Sequence, residues 1–252
     1  MKYKKNINLK GKNVLVTGAD GFIGSHLVER LAQEGSKIRA MTMYNSFNDW
    51  GWLEKLEKKV LNKIEVYPGD MRDSKSVNNA CRDIDVVFHL ASLIAIPQSY
   101  NSPYAYLETN ATGALNLFES CLNSNVSKII HTSTSEVYGE YDIVPISEDN
   151  KNIARSPYSA TKIAADQLAY SYFSTFDLPI SIIRPFNTYG PRQSNRAIIP
   201  TIITQILNDK HIELGSLYPT RDFTYINDTV SGFMSVAKNK KSIGEIINIG
   251  SG

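Results

Sequence analysis

The sequence predicts an α/β fold, a doubly wound parallel sheet followed by a smaller lobe, and three observations carry that expectation. Short apolar runs alternate with helical spacing along most of the chain, the pattern of strands joined by crossover helices. A glycine-rich turn lies between the first such run and the first helical stretch, and a long helical stretch near residue 160 carries a tyrosine and a lysine on one face.

The elements follow in order. Val14, Leu15 and Val16 signal a buried strand, and residues 22–31 then take up helical spacing through Ile23, Leu27, Val28 and Leu31. Strand-like runs recur at 37–43, 64–67, 86–90, 128–131 and 180–183, apolar on successive positions as strands covered on both faces must be. Two long helices are expected at 104–122 and 157–176, the second opening on Pro157, which a first helical turn tolerates. The charged run 54–59 reads as a solvated helix face. Beyond Arg184 the pattern loosens into Pro/Gly-punctuated loops, a helix near 198–207, a strand near 223–226, a helix near 228–237 and a strand at 245–249. The expected division is a dinucleotide-binding domain over 10–184 and a substrate-binding lobe over 185–252, interleaved with the last elements of the main sheet and C-terminally truncated.

Composition narrows the function classes. The 252 residues are 42% hydrophobic and 21% charged, with 27 basic and 25 acidic side chains for a net charge of +2. That balance argues against nucleic acid as a main partner. The start of the chain lacks an apolar run of signal-peptide or membrane-spanning length, so a cytoplasmic location without membrane partner is expected. Cys81 and Cys121 follow neither metal-like nor redox-like spacing and read as buried free thiols; no metal site is expected.

Thr17-Gly18-Ala19-Asp20-Gly21-Phe22-Ile23-Gly24 sits where a strand passes into a helix. Glycines there permit a tight turn and close backbone approach to a pyrophosphate, which the helix N-terminus then attracts. Gly18, Gly21, Phe22, Ile23 and Gly24 are therefore candidate cofactor contacts, joined by Asp70 and Met71 after the third strand and Leu90 and Ala91 at the end of the fourth. Asp70 suits the adenine amine, with a helix cap as the alternative. The second strand ends Met41-Thr42-Met43-Tyr44-Asn45, without the acid that usually holds the adenosine ribose and without a cation for a 2′-phosphate. NAD is the expected cofactor, with NADP left open.

Thr134-Ser135-Glu136 follows the fifth strand, and Tyr158 and Lys162 lie four apart on the long helix. An ammonium on the same helical face lowers a neighbouring phenol's pKa and makes it a base for alcohol oxidation. Glu136 is a second possible base, one that redox chemistry at a single carbon does not need. With the glycine turn and Arg184-Pro185-Phe186-Asn187-Thr188-Tyr189-Gly190-Pro191, these segments resemble, in order and over essentially the whole chain, the extended short-chain dehydrogenase/reductase family with its Rossmann domain.

Within that family the chain resembles the nucleotide-sugar 4,6-dehydratases, because Glu136 stands where they carry a catalytic glutamate and sugar 4-epimerases generally lack it. The wording around Tyr44–Asn48 and Ala91–Pro97 is most similar to dehydratases of legionaminic-acid-type pathways, which act on a nucleotide-linked N-acetylglucosamine. The resemblance implies Tyr158 as base, Lys162 and Thr134 as its helpers, Glu136 as the second base, and Glu136 or Ser135 as proton donor to the departing water. Ser135 replaces an aspartate that many relatives carry. It implies diphosphate contacts from Asn187 and Arg221, with Arg192 a further candidate. Ser92 and Gln98 are expected to face the sugar. His89 and His131 read as core histidines, and Trp50 and Trp52 as core packing or cover for the adenine or active-site mouth. The resemblance further implies a homodimer through helices 104–122 and 157–176, and a truncated lobe implies weak activity. A nucleotide-sugar 4-epimerase and a non-catalytic dinucleotide sensor are the alternatives.

Overall fold

The computed structural model describes residues 6–141, 144–208 and 211–251. Seven strands form the main sheet: β1 (Asn13–Thr17), β2 (Lys37–Met43), β3 (Ile64–Gly69), β4 (Val86–His89), β5 (Lys128–Thr132), β6 (Ile180–Pro185) and β9 (Ile246–Ile249). Their order is β3-β2-β1-β4-β5-β6-β9, and every pairing is parallel. The order reverses between β1 and β4, which opens a crevice at the carboxyl ends of those two strands. Two short strands, β7 (Asn187–Tyr189) and β8 (Phe223–Tyr225), pair separately.

Both faces of the sheet are covered, which explains the apolar runs. On one face α1 (Phe22–Gln33) and α9 (Ile226–Lys238) bury Leu27, Val28, Leu31, Val230, Phe233 and Met234 against Val14, Val16, Val86 and Phe88. On the other, α3 (Ser74–Ala80), α6 (Gly113–Leu122) and α7 (Pro157–Phe176) pack Val77, Leu117, Phe118, Ala165 and Ala169 on Leu15, Val87 and Ile129. The short helices α2 (Lys58–Leu61), α4 (Ile96–Asn101) and α5 (Pro103–Tyr106), and α8 (Ile198–Asn208), complete the described helices of this class. No side chain of α8 is buried.

Helix α7 begins and ends where the sequence places it. Ser156 and Ser159 form a reciprocal capping box ahead of Pro157, and Asp177 closes the helix in left-handed conformation with φ 57°. The expected helix over 104–122 is helical throughout but not uniformly α: α5 and α6 are joined by a π-helical stretch, Leu107–Thr112, a feature common at functional sites. The expected strand at 223–226 ends one residue earlier because Ile226 already opens α9. The charged run 54–59 is split between a 3₁₀ turn, Gly51–Lys55, and the start of α2.

Candidate active site

A cleft of about 830 Å³ opens along the carboxyl edge of the sheet, from the glycine turn across the ends of β1, β4 and β5 to residues 185–188. It brings together Gly18, Gly21, Phe22, Ile23, Gly24, Asp70, Met71, Leu90 and Ala91 on one side with Thr134, Ser135, Glu136, Tyr158 and Lys162 on the other. Ser92 and Asn187 also line it.

The glycine turn has the steric character of a pyrophosphate cradle. Gly18 has φ +67°, and a Cβ on it would meet the Ala91 amide nitrogen at 2.8 Å; a Cβ on Gly24 would collide with the Gly18 carbonyl oxygen. Thr17 ties the floor together, its Oγ1 accepting from the amides of Leu90 and Ala91, both at 3.1 Å, while contacting His89 Nδ1 at 2.9 Å. His89 and His131 are fully buried in the core, which pushes both imidazoles below their ordinary pKa.

Asp20 is the residue the sequence reading passed over. Its carboxyl is pushed up by burial and lies near the Met43 backbone at the end of β2, and its carbonyl accepts from Trp52 N–H at 3.0 Å. The glycine turn thus delivers to the end of β2 the carboxylate that β2 itself lacks. Asp70 is gripped by Arg72, with Nη2–Oδ2 at 2.6 Å, and that guanidinium holds its carboxyl below the usual range. Asp70 is not a helix cap; Asp73 caps α3. Trp50 packs against the core beside α1.

At the catalytic end, β5 delivers Thr134, which caps a 3₁₀ turn, Ser135–Val137, by accepting from the Glu136 amide at 3.2 Å. Tyr158 and Lys162 come from the first turns of α7, both buried. The phenol is pushed up to about 12, burial dominating; the Thr134 hydroxyl lowers it, and the Glu136 carboxylate raises it. Lys162 Nζ donates to the Thr132 carbonyl at 2.6 Å, and burial brings the ammonium down to about 8.

The π-helical stretch explains the wall opposite. It buries Asn110, whose Oδ1 accepts from Ser92 Oγ at 2.9 Å and Leu93 N at 2.8 Å, and whose Nδ2 donates to Leu93 O and Thr161 Oγ1. Asn110 therefore straps residues 92–93 to α7, and Ser92 Oγ is spent on that strap. Nothing in the helical spacing signalled this, since a π turn and an α turn accept the same residues.

Three expected sugar or diphosphate contacts are not brought to the cleft wall. Gln98 donates to Ser102, the residue that caps the end of its own helix. Arg192, in left-handed conformation with φ 69°, turns to α1 and pairs with Glu29 at 2.8 Å. Arg221 lies on an exposed stretch and bonds the carbonyl of Thr220 at 2.7 Å. Instead, the loop after Arg192 supplies Gln193, Ser194 and Ala197, and the wall near the π stretch supplies Ile94, Ile96, Ala105 and Thr109, of which only Ile94 and Ile96 fall in a segment that the sequence singled out.

Among the described residues no cluster of His, Cys, Asp or Glu could hold a metal, and no helix is long and apolar enough to cross a membrane. Cys81 and Cys121 are buried free thiols, neighbours across α3 and α6, with Cys81 and burial together pushing Cys121 up.

Residues 15–251 match the family described as GDP-mannose 4,6 dehydratase. The chain is 35% identical to a dTDP-D-glucose 4,6-dehydratase of Dictyostelium discoideum over 95% of its own length, and spans 58% of that relative. A UDP-glucuronic acid 4-epimerase from Bacillus cereus, solved with UDP-glucuronic acid and NAD, superposes with TM-score 0.85 at 34% identity, covering 95% of this chain and 78% of that one. A dTDP-glucose 4,6-dehydratase from Streptomyces venezuelae, solved with NAD bound, gives TM-score 0.85 at 28% identity over 95% and 76%. The chain is thus similar to dehydratases and to epimerases alike.

Proposed function

The chain belongs to the GDP-mannose 4,6-dehydratase family of extended short-chain dehydrogenases/reductases, and we propose that it is itself an NAD-dependent nucleotide-sugar 4,6-dehydratase. The observation that carries this reading over epimerisation is Glu136, a carboxylate in the same cleft as Tyr158 and close enough for its charge to raise the phenol. Epimerisation needs one base and a returning hydride; water loss across C-5 and C-6 needs a second base.

The glycine turn fits a dinucleotide, since Gly18 and Gly24 leave no room for a Cβ. The Asp20 carboxyl at the end of β2 suits ribose hydroxyls and disfavours a 2′-phosphate, which supports NAD over NADP. When bound, NAD supplies a hydride acceptor at C-4 and the hydride donor that later serves C-6. Tyr158 takes the 4-hydroxyl proton, with Thr134 donating to its oxygen and Lys162 holding positive charge one helical turn away. The C-4 carbonyl acidifies the C-5 hydrogen, which Glu136 removes as a proton. The C-6 hydroxyl leaves as water, protonated by Glu136 or through Ser135; hydride delivered to C-6 together with a solvent-derived proton delivered to C-5 through Glu136 closes the cycle without net oxidation. The product is a 4-keto-6-deoxy sugar.

Asn187, in the cleft wall on β7, is the diphosphate donor in this reading, and residues 185–252 serve as the substrate side. N-acetylglucosamine is the proposed sugar, on the resemblance to legionaminic-acid-type dehydratases. A homodimer is proposed because Tyr100, Tyr104, Leu107, Tyr170 and Phe176 expose apolar surface on α4 to α7 and the π stretch, and a cytoplasmic location is proposed for it on the family resemblance. Glu136→Gln tests the assignment: water loss should fall at least about 100-fold while C-4 oxidation survives, and undiminished product formation would refute it.

A further inference from the structure

The catalytic segment is a short 3₁₀ turn on a loop, a weak mount for a base that must be placed accurately. What holds it lies beneath the cleft, around Asp166, one turn beyond Lys162 on α7. Asp166 is 1% exposed. Its Oδ2 accepts from Ser133 Oγ at 2.8 Å and from Arg184 Nη2 and Nε at 2.9 and 3.2 Å, and its Oδ1 lies 3.4 Å from His131 Nε2. Arg184, equally buried on β6, sets its guanidinium 4.7 Å from the centre of the Tyr138 ring. Tyr138 Oη donates to Asn248 Oδ1 on β9 at 2.8 Å. Ser133 and Tyr138 are the two residues that bracket Thr134, Ser135, Glu136 and Val137.

We propose that the Asp166–Arg184 ion pair is a positioning device that clamps both ends of the catalytic turn, fixing Glu136 and Thr134 relative to Tyr158. One carboxylate holds the turn's entry through Ser133; the guanidinium paired with it holds the exit through Tyr138. Tyr158 and Lys162 are carried by α7 itself, and Lys162 has its own anchor on the Thr132 carbonyl, so variants that keep the ion pair reach Tyr158 only through Thr134. Loosening the clamp therefore harms the step that uses Glu136 more than the step that uses Tyr158. A buried pair costs desolvation and is weak evidence for stability, but a pair whose two members reach opposite ends of one catalytic turn has a geometric use.

The inference rests on the dehydratase reading for its kinetic arm only. Asp166→Asn leaves Arg184 unpaired in the core and is expected to unfold readily, so Ser133→Ala, which removes the hydroxyl that Asp166 holds, and Tyr138→Leu, which removes the ring that Arg184 contacts, are the informative variants, both leaving the ion pair. Hydrogen exchange should quicken at the amides of residues 134–138 in each variant and stay unchanged over α7. In single turnovers with NAD and the nucleotide sugar, cofactor reduction should stay within about twofold while water loss falls roughly 10-fold, the scale expected for a misplaced catalytic group, so that reduced cofactor accumulates. Unchanged exchange over 134–138, or an equal fall in both half-reactions, would overturn the clamp. If the wild-type protein releases no water from any nucleotide sugar, the dehydratase reading falls, and the exchange data alone decide the clamp.

Discussion

Two lysines at opposite edges of the sheet show how this molecule divides stability from chemistry. Lys162 stands at the carboxyl edge and Lys128 near the amino end of β5, and both are buried. Lys128 Nζ is held by neutral partners, Ser181 Oγ at 2.6 Å, Ser242 Oγ at 2.7 Å and the Asn239 carbonyl at 3.4 Å, and burial brings it down to about 7. Lys162 has the Asp166 carboxylate nearby to favour its charge and stands at about 8. One lysine satisfies its hydrogen bonds inside a closed core; the other keeps its charge beside a cleft. Burial and depression of a lysine do not by themselves mark function, and the edge of the sheet on which it lies decides.

The largest effect should come from the cleft side. Lys162→Met is expected to cut turnover by roughly 10² to 10⁴, whereas Lys128→Met should leave it within about twofold; steady-state rates on both variants would break the comparison if the losses were alike. Next, Gly24→Ala should weaken dinucleotide binding by at least about 10-fold, because a Cβ there strikes the Gly18 carbonyl and must displace the cradle. Calorimetric titration with NAD measures it, and wild-type affinity in that variant would remove the cradle from the account.

Lys128 makes a pH prediction of definite sign. Its folded pKa of about 7 lies below the unfolded value near 10.4, so the unfolded chain binds more protons between them and stability rises with pH across that window. Denaturant unfolding should show the rise, on the order of a few kcal/mol, and Lys128→Met should flatten it. A parallel rise in both proteins would mean that Lys128 is not its source. The smallest effect is expected at Arg192, whose pairing with Glu29 ties the loop after Gly190 to α1. Arg192→Ala should cost about 1 kcal/mol or less, read as a shift in unfolding midpoint.

The strand and helix order was legible because it is written locally. Apolar runs mark strands buried on both faces, and Pro157 marks the start of α7, whose Ser156–Ser159 capping box only the structure shows. The site was legible where one segment carries its own chemistry, as with the glycine turn, Thr134 to Glu136, and Tyr158 with Lys162. It was not legible where tertiary packing redirects a side chain. Asp20 carries no signal of a role within the glycine turn; the approach of β2 and residues 50–52 gives it a place. Arg192 reads as a candidate diphosphate contact in sequence, but a left-handed backbone aims it at Glu29. Asp166 and Arg184 sit on different elements, and only the closed sheet makes them a pair. The phenol shows the same limit, since helical spacing put Lys162 beside Tyr158 but could not show the Thr132 carbonyl that takes the ammonium.

The claim that Glu136 makes this chain a dehydratase is tested most directly by its product in heavy water. Incubated with NAD and nucleotide-linked N-acetylglucosamine in D₂O, the protein should yield a 4-keto sugar formed by loss of one water, with deuterium at C-5 where Glu136 exchanged the proton. A product of unchanged composition, inverted at C-4 and free of deuterium at C-5, would contradict the account and identify an epimerase.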